Sequence, residues 1–328
     1  FGEEKVTVSE AYSENIEAYQ LYLKGLYFQN KLDLITAIDY YEAALSIDPN
    51  YVVAHAKISM CYFDMAFYGF DPENNLRKCQ STLDKAADLD DKNADYMIAK
   101  GRMEFWYHWD FERAGVTLEK ALRINPNNPE GLKQMGALNM CLGRFSEGHM
   151  YLDKAEELDP FSLIGLAYIG AYYFWEKDYN KVIEYGNRII SMEPNAHMGH
   201  SISGVGHFET GKYEEAILNL KKAIKLAPNP DLYMYSFLGR SYACNNEPEK
   251  AKEVLKQMEG WRGKQGGGYS YFGYLYADLK YWDQAITNLE MAVKHHEGFM
   301  LFFHVSPYVS HPDMKENPRI QKLQESLG

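Results

Sequence analysis

Residues suited to covalent chemistry are scarce in this sequence, and those present are not arranged for it. Its 328 residues include four cysteines, at Cys61, Cys79, Cys141 and Cys244, none in a Cys-x-x-Cys pair. Each lies within a helical pattern, where an unpaired Cys behaves as a small buried apolar residue. A disulfide framework is therefore not expected, which points to a reducing, cytoplasmic setting. No apolar stretch reaches the ~18–20 residues of a membrane span, and no signal-peptide pattern is present. No basic cluster stands out either: Lys221, Lys222 and Lys225 sit beside Glu214 and Glu215 on an ordinary solvated face. With a net charge of −12, nucleic acid and anionic membranes are not expected as partners, since both need a concentrated basic surface. Gly-x-Ser-x-Gly, His-Glu-x-x-His and an isolated carboxylate pair are all missing, so no enzymatic activity is expected. The glycine-rich stretch Gly260, Gly263, Gly266, Gly267 and Gly268 lacks the preceding strand of a phosphate loop. Its Lys264 is followed by Gln265 instead of Ser or Thr; a flexible connector between helices is expected. His197, His200 and His207 fall near one helix face, and His295, His296, His304 and His311 crowd the C-terminal part. No Cys or carboxylate completes a ligand set around them, so neither a metal nor a cofactor is expected.

What is present is repetition. The chain is 46% apolar and long enough for two ordinary domains, yet it shows no low-complexity linker and no change of composition. Five of the 12 prolines recur in one context: Ile47-Asp48-Pro49-Asn50, Ile124-Asn125-Pro126-Asn127, Leu158-Asp159-Pro160, Met192-Glu193-Pro194-Asn195 and Leu226-Ala227-Pro228-Asn229. From Pro126 through Pro160 and Pro194 to Pro228 each step is 34 residues. Gly136, Gly170 and Gly204 keep the same spacing, continued by Gly239 and Gly273 and preceded by Gly25 and Gly101. A small residue lies 12 positions after the glycine at Ala37, Ala216, Ala251 and Ala285.

Each marker has a physical reason. A mid-helix glycine costs about 1 kcal/mol relative to Ala unless close packing compensates, so it marks where the next helix approaches. Proline cannot continue a helix and separates units, and the Asp and Asn around it supply cap and turn chemistry. Between the markers, Ala216, Ile217, Leu220, Ala223 and Ile224 follow helical spacing. Gly211-Lys212, Leu142-Gly143-Arg144 and Lys177-Asp178 break each unit into two helices.

Period, proline, glycine and alanine together resemble the tetratricopeptide repeat (TPR). The degenerate positions, Gly148 for Ala in one unit and Val182 and Ile189 for small residues in the next (with Gly186 making room), do not disturb the phase. The resemblance implies an all-α fold: a solenoid of about eight helix–turn–helix units in a right-handed superhelix, closed by a C-terminal cap. The units are placed at 18–51, 52–93, 94–128, 129–162, 163–196, 197–231, 232–265 and 266–299, after a lead-in at 1–17 and before a cap at 300–328 that contains Pro307, Pro312 and Pro318. The second unit departs from the pattern. Ser59 replaces its glycine, and Phe67-Tyr68-Gly69-Phe70-Asp71-Pro72 adds roughly eight residues before a second helix is expected to resume near Cys79.

In TPR arrays the first helix of each unit lines a concave groove. Carried onto this sequence, that arrangement places Tyr19, Tyr22, Met60, Phe63, Arg102, Phe105, Lys133, Met140, Phe174, Phe208, Arg240 and Tyr274 toward the groove, a lining suited to an amphipathic helix or extended peptide. Tyr22 and Leu26 stand where a chaperone-tail carboxylate clamp would begin, which argues against that partner. The entry Tyr12-Ser13-Glu14-Asn15 through Gly25, the motif Phe105-Trp106-Tyr107-His108-Trp109-Asp110 and the closing Asn317-Pro318-Arg319-Ile320 resemble the TPR regions of bacterial multidomain signalling proteins. There such an array follows an adenylate cyclase, a winged-helix regulator or a Ser/Thr kinase. The chain begins at Phe1 and not at Met, as in an excised fragment or a processed product. The expected function is a non-enzymatic protein- or peptide-binding scaffold of a signalling or transcription-regulatory protein; the alternative is a structural scaffold acting through self-association.

Overall fold

The computed structural model describes residues 13, 15–265, 267–305 and 317–326, with side chains at all of these except 262–265, 302–305 and 326. Most of the lead-in, Gly266, Pro307, His311 and Pro312 lie outside the described residues, as do the side chains of Lys264, Gln265 and His304.

Every regular element among the described residues is helical. Helices pair in chain order: α1 (Ile16–Gln29) with α2 (Leu34–Ile47), α3 (Val52–Phe67) with α4 (Pro72–Asp90), α5 (Ala94–Trp106) with α6 (Phe111–Ile124) and α7 (Pro129–Cys141) with α8 (Phe145–Leu158). The series continues with α9 (Leu163–Tyr172) and α10 (Tyr179–Met192), α11 (His197–Glu209) and α12 (Tyr213–Leu226), α13 (Leu232–Cys244) and α14 (Pro248–Gln265), and α15 (Tyr269–Asp278) and α16 (Trp282–Lys294). A 3-10 segment (Gly298–Val305) and α17 (Pro318–Ser326) follow. Each pair also packs on the next, which makes an α-solenoid.

Local chemistry sets the boundaries. Asn15, Asn93 and Asn128 cap α1, α5 and α7, each accepting from two backbone N–H groups of the first turn; such caps are worth about 1 kcal/mol each. Inside the pairs, the chain reverses through one residue in the left-handed region. Trp109, Gly143, Lys177, Gly211, Asn246 and Lys280 have φ between 55° and 76°, as does Leu32 in the first pair. Beyond this residue the next N–H reaches back over the helix end, as from Lys212 to His207 O and from Tyr281 to Tyr276 O, both at 2.9 Å. This position repeats as faithfully as the glycines, although only two of its occupants are glycine.

The helical glycines seat side chains of the partner helix. A Cβ on Gly136 would lie 2.6 Å from Leu152 Cδ2, and one on Gly273 would lie 2.8 Å from Leu289 Cγ. The expected small residue, fully buried at Ala37, Ala216, Ala251 and Ala285, supplies only part of this contact; at Gly273, Ala285 contributes its backbone oxygen, 3.3 Å from the added carbon. The tightest approach of a glycine to the backbone of another helix is between α10 and α11. There a Cβ on Gly186 would sit 2.5 Å from the backbone nitrogen of Ser203, while Val182 and Ile189 fill the space on either side and are fully buried.

The extra residues of the second unit give longer helices, not a loop. The second helix begins at Pro72, well before Cys79, and the connection shrinks to Tyr68–Asp71, with Gly69 at φ +87° and Asp71 at φ +37°. The reason lies across the molecule. This corner docks on α13 and α15: Tyr271 Oη donates to Phe67 O at 2.6 Å, and the Tyr68 and Tyr233 rings are 6.2 Å apart. The glycine-rich connector also differs from the expectation. α14 runs through Gly260, and the connection narrows around Gly267 and Gly268, both in the left-handed region. A Cβ on Gly267 would meet Pro72 Cγ at 2.5 Å.

The superhelix therefore winds until its early and late units touch across the concave side. Farther along, His197 Nε2 meets Lys31 O at 3.1 Å, and the Trp109 and His296 rings lie 4.7 Å apart. The segment after α16 has two parts. α17 covers the end of the array, with Ile320 and Leu323 buried against Ala285, Ile286 and Leu289. The turn Gly298–Leu301 runs inward instead, placing Phe299 beside Tyr233 and Tyr271 and bringing Leu301 O to Trp175 Nε1 at 3.3 Å.

Because Gly186 faces backbone and not a movable side-chain tip, Gly186→Ala is expected to destabilise the fold by about 2 kcal/mol or more despite the better helix propensity of Ala. Gly260→Ala, with nothing near its added carbon, serves as the control and should be neutral or stabilising in urea denaturation.

Candidate functional site

The first helices of the pairs turn their polar residues inward over the first half of the array. A groove of about 260 Å³ runs along α1, α3, α5, α7 and α9, bounded by Tyr22, Lys57, Asp95, Arg102, Lys133 and Tyr168 among others. Its charges are paired in series: Lys57 with Asp95 at 3.8 Å, Arg102 with Asp64, and Lys133 with Glu130 at 2.7 Å. Burial opposes the charge on Glu130, but Lys133, Arg102 and Lys57 outweigh it and hold the carboxyl at about 2.

The Asp64–Arg102 pair forms the inner wall of this groove. Arg102 sends both terminal nitrogens to the two Asp64 oxygens, and Tyr168 Oη donates to Asp64 Oδ1 at 3.0 Å. The guanidinium lies 4.8 Å from the Phe63 ring centre and 5.7 Å from that of Tyr168, within cation–π range.

Behind the wall is a second space, a cavity of about 90 Å³ that shares Asp64, Arg102, Ile164 and Tyr168 with the groove. Its lining is aromatic, with Phe63, Trp106, Tyr172, Tyr233, Phe237 and Phe299 contributing. Three rings of the cavity lining, Phe63, Phe67 and Trp106, also border a wider recess of about 630 Å³ on the far side, between α4 and the turn before Gly298. The interior is thus a succession of three spaces: a polar groove, an aromatic cavity and an outer recess.

Two polar residues of the cavity are unusual. Asp231, the cap of α13, accepts from Met234 N–H at 2.8 Å. Burial pushes its carboxyl up to about 7, although backbone N–H groups pull the other way. His197 gives Nε2 to the Lys31 carbonyl, so that nitrogen carries the proton; burial lowers its pKa, and Nδ1 is left as an acceptor with no partner among the described residues.

The residues expected to line the groove divide by position. Tyr22, Met60, Arg102 and Lys133 border the groove, and Phe63, Arg102 and Phe174 border the cavity. Phe174 lies in the turn after α9, not on the helix itself. Tyr19 stacks on Tyr22 at 6.2 Å, at the entrance end. Phe105 and Met140 are fully buried in the packing between helices. Phe208, Arg240 and Tyr274 form a separate cluster: the Arg240 guanidinium is 4.4 Å from Phe208, 4.5 Å from Phe237 and 5.2 Å from Tyr274, and its Nε donates to Asp278 Oδ2 at 2.9 Å. Next to it, burial and Asp278 raise Glu209 to about 6 against the pull of Arg240. The inward positions of Lys57, Asp64, Asp95, Glu130 and Tyr168 escaped sequence reasoning. Asp64 had a signal, since it is a lone acid inside the apolar run Cys61 to Phe67.

His200 Nε2 contacts Pro194 O at 3.0 Å, and His295 stacks on Tyr269. Among the described residues no group of His, Cys, Asp and Glu is placed to hold a metal, and no helix is long and apolar enough to cross a membrane. The four cysteines are unpaired thiols, and burial pushes Cys79, Cys141 and Cys244 up to about 12.

The tetratricopeptide repeat family profile matches residues 21–51 and 207–230, in the first and sixth helix pairs. The chain carries TPR units. Solved structures share the TPR solenoid: a tetratricopeptide repeat protein of Parabacteroides merdae superposes with a TM-score of 0.52 at 18% identity, over 81% of this chain and 98% of that one. The Cut9–Hcn1 hetero-tetramer of the APC/C gives 0.61 at 14% identity, over 96% of this chain and 57% of that one. Yeast Tom70 gives 0.50 at 15%, over 97% and 69%. At these identities the likeness is one of TPR fold. No curated protein sequence matches the chain.

Asp231 makes stability depend on pH. Its ordinary pKa is about 3.9, and burial raises it to about 7 in the folded chain. Between those values the folded form keeps a proton that the unfolded form has released, so this contribution is complete at low pH and is lost as pH rises through 7. Asp231→Asn keeps the cap and removes the titration. From pH 5.5 to 8.5 the wild type is expected to lose about 2 kcal/mol more than the variant in urea denaturation; parallel pH profiles would contradict this.

Proposed function

We propose that this chain is a protein-interaction scaffold, the binding region of a signalling or transcription-regulatory protein, and that its inner face receives a peptide segment of a partner. The carrying observation is the join between the polar groove and the aromatic cavity at the Asp64–Arg102–Tyr168 wall. A groove with alternating charge suits a peptide backbone and polar side chains. An adjoining cavity closed by rings suits one inserted anchor, the arrangement by which a few buried contacts dominate binding. The resemblance of the Tyr12-to-Gly25 entry to signalling TPR regions supports the regulatory setting.

The test uses dodecapeptides selected from a random display library on the full chain. Selected peptides are expected to bind at least tenfold more weakly to Lys133→Ala and Tyr168→Ala variants that keep the wild-type circular dichroism. Peptides that bind both variants as well as the wild type would place recognition elsewhere.

A second reading, self-association, is supported by the apolar edge of the first pair, where Ile16, Tyr27 and Ile35 are at least half exposed. A monomer in sedimentation over a hundredfold concentration range would rule it out.

A further inference from the structure

The aromatic cavity carries a more specific statement about the partner. It holds about 90 Å³, which corresponds to roughly six to nine water-sized positions. That is room for one long side chain and not for a helix. The question is which side chain, and the polar groups around the cavity decide it.

Three acids are buried among the described residues: Asp64, Glu104 and Asp231. Asp64 faces Arg102, and Glu104 faces Arg113 at 2.9 Å. No cation among the described residues pairs with Asp231, which accepts from backbone N–H groups and has the Tyr68, Tyr233 and Tyr271 side chains within electrostatic reach. Elsewhere this fold places a guanidinium between rings and against a carboxylate twice: Arg102 with Phe63, Tyr168 and Asp64, and Arg240 with Phe208, Phe237 and Asp278. Around Asp231 the rings and the carboxylate are present, and the cation is the missing member.

A second observation points the same way. His197 is 7% exposed and lines the same cavity, and its buried Nδ1 has no hydrogen-bond partner among the described residues. It calls for an N–H donor. On the shared wall Arg102 Nε also lacks a partner among the described residues, and a peptide carbonyl passing from groove to cavity would satisfy it. Charge agrees over longer range, since the whole chain carries −12 and draws cationic segments toward it.

We propose that the cavity takes the side chain of an arginine or lysine of the bound peptide, with Asp231 as its counter-charge, His197 Nδ1 as an acceptor and the surrounding aromatic faces as its walls. This rests on the inner face being a peptide site, and the experiment separates the two statements.

Two measurements test it on the full chain. In the first, Nα-acetyl-argininamide and its citrulline analogue, which keeps the shape and loses the charge, are titrated calorimetrically. Saturable binding of the arginine probe is expected with the wild type, at least tenfold weaker for the citrulline probe and for Asp231→Asn, in which Asn preserves the cap. Equal binding of the two probes, or no saturable binding of either, overturns the proposal. In the second, library-selected peptides are expected to share one basic residue whose replacement by citrulline or norleucine weakens binding at least tenfold to the wild type and not to Asp231→Asn. Selected peptides that depend on Lys133 and Tyr168 yet carry an apolar or acidic anchor would overturn the cationic pocket and leave the peptide groove standing. Peptides indifferent to Lys133 and Tyr168 would overturn the groove itself.

Discussion

The contact on which the architecture depends, made in most of the pairs, is the seat of a bulky side chain of the second helix over a glycine of the first, as Leu152 sits over Gly136 and Leu289 over Gly273. It brings paired helices closer than two Cβ-bearing surfaces could come, and packing at that distance tolerates few alternative tilts. Repeated along the chain, the same tilt becomes a curvature. The left-handed residue that ends each first helix is the companion constraint, since it reverses the chain within a few residues and keeps successive units in phase. Curvature then brings α13 and α15 to the corner of α3 and α4. There the chain has specialised residues, Gly69, Gly267 and Gly268, at points where any side chain would collide with the opposite face.

Much of the solenoid was legible because its constraints are local. A glycine that must admit a neighbour and a proline that must end a unit leave residue types at fixed spacing, and the 34-residue phase followed from them. The left-handed turn positions were not legible, although they recur as regularly. Lys177, Lys280 and Trp109 occupy a conformation that glycine adopts at lower cost, so composition carries no mark of it. The closure across the concave side was invisible for a different reason. Tyr271 and Phe67 are 204 residues apart, and nothing in a single sequence ties two such positions together. That is also why Phe67–Pro72 read as an insertion: its partner surface lies elsewhere in the chain. Among the expected groove residues, position on a first helix was predictable for all but Phe174, which lies in the turn after α9. Whether a side chain such as Phe105 or Met140 packs between helices or faces the interior depends on a few tens of degrees of helix rotation, which periodicity does not resolve.

The inner face shows how a long acidic chain keeps charge in its interior. Among the described residues, each buried carboxylate except Asp231 has an arginine in contact, and both buried arginines lie against aromatic rings. Ion pairs of this kind add little net stability over an apolar core of equal volume, because desolvation offsets most of the attraction. Their effect is orientation: the Asp64–Arg102–Tyr168 wall fixes three first helices relative to one another and thereby the shape of the space between them.

Closure also changes how such a chain gains and loses its structure. An open array of repeats is nearly one-dimensional; each unit senses only its neighbours, and the ends can fray while the middle persists. Here Phe67 and Tyr271, and Lys31 and His197, couple early units to late ones, so melting the first pairs uncovers the surface on which the later ones rest. The array is thereby made cooperative over much of its length. The same contacts delay its completion during synthesis, since the corner at Tyr68 has no surface to close on until the residues around Leu232 and Tyr271 have been made.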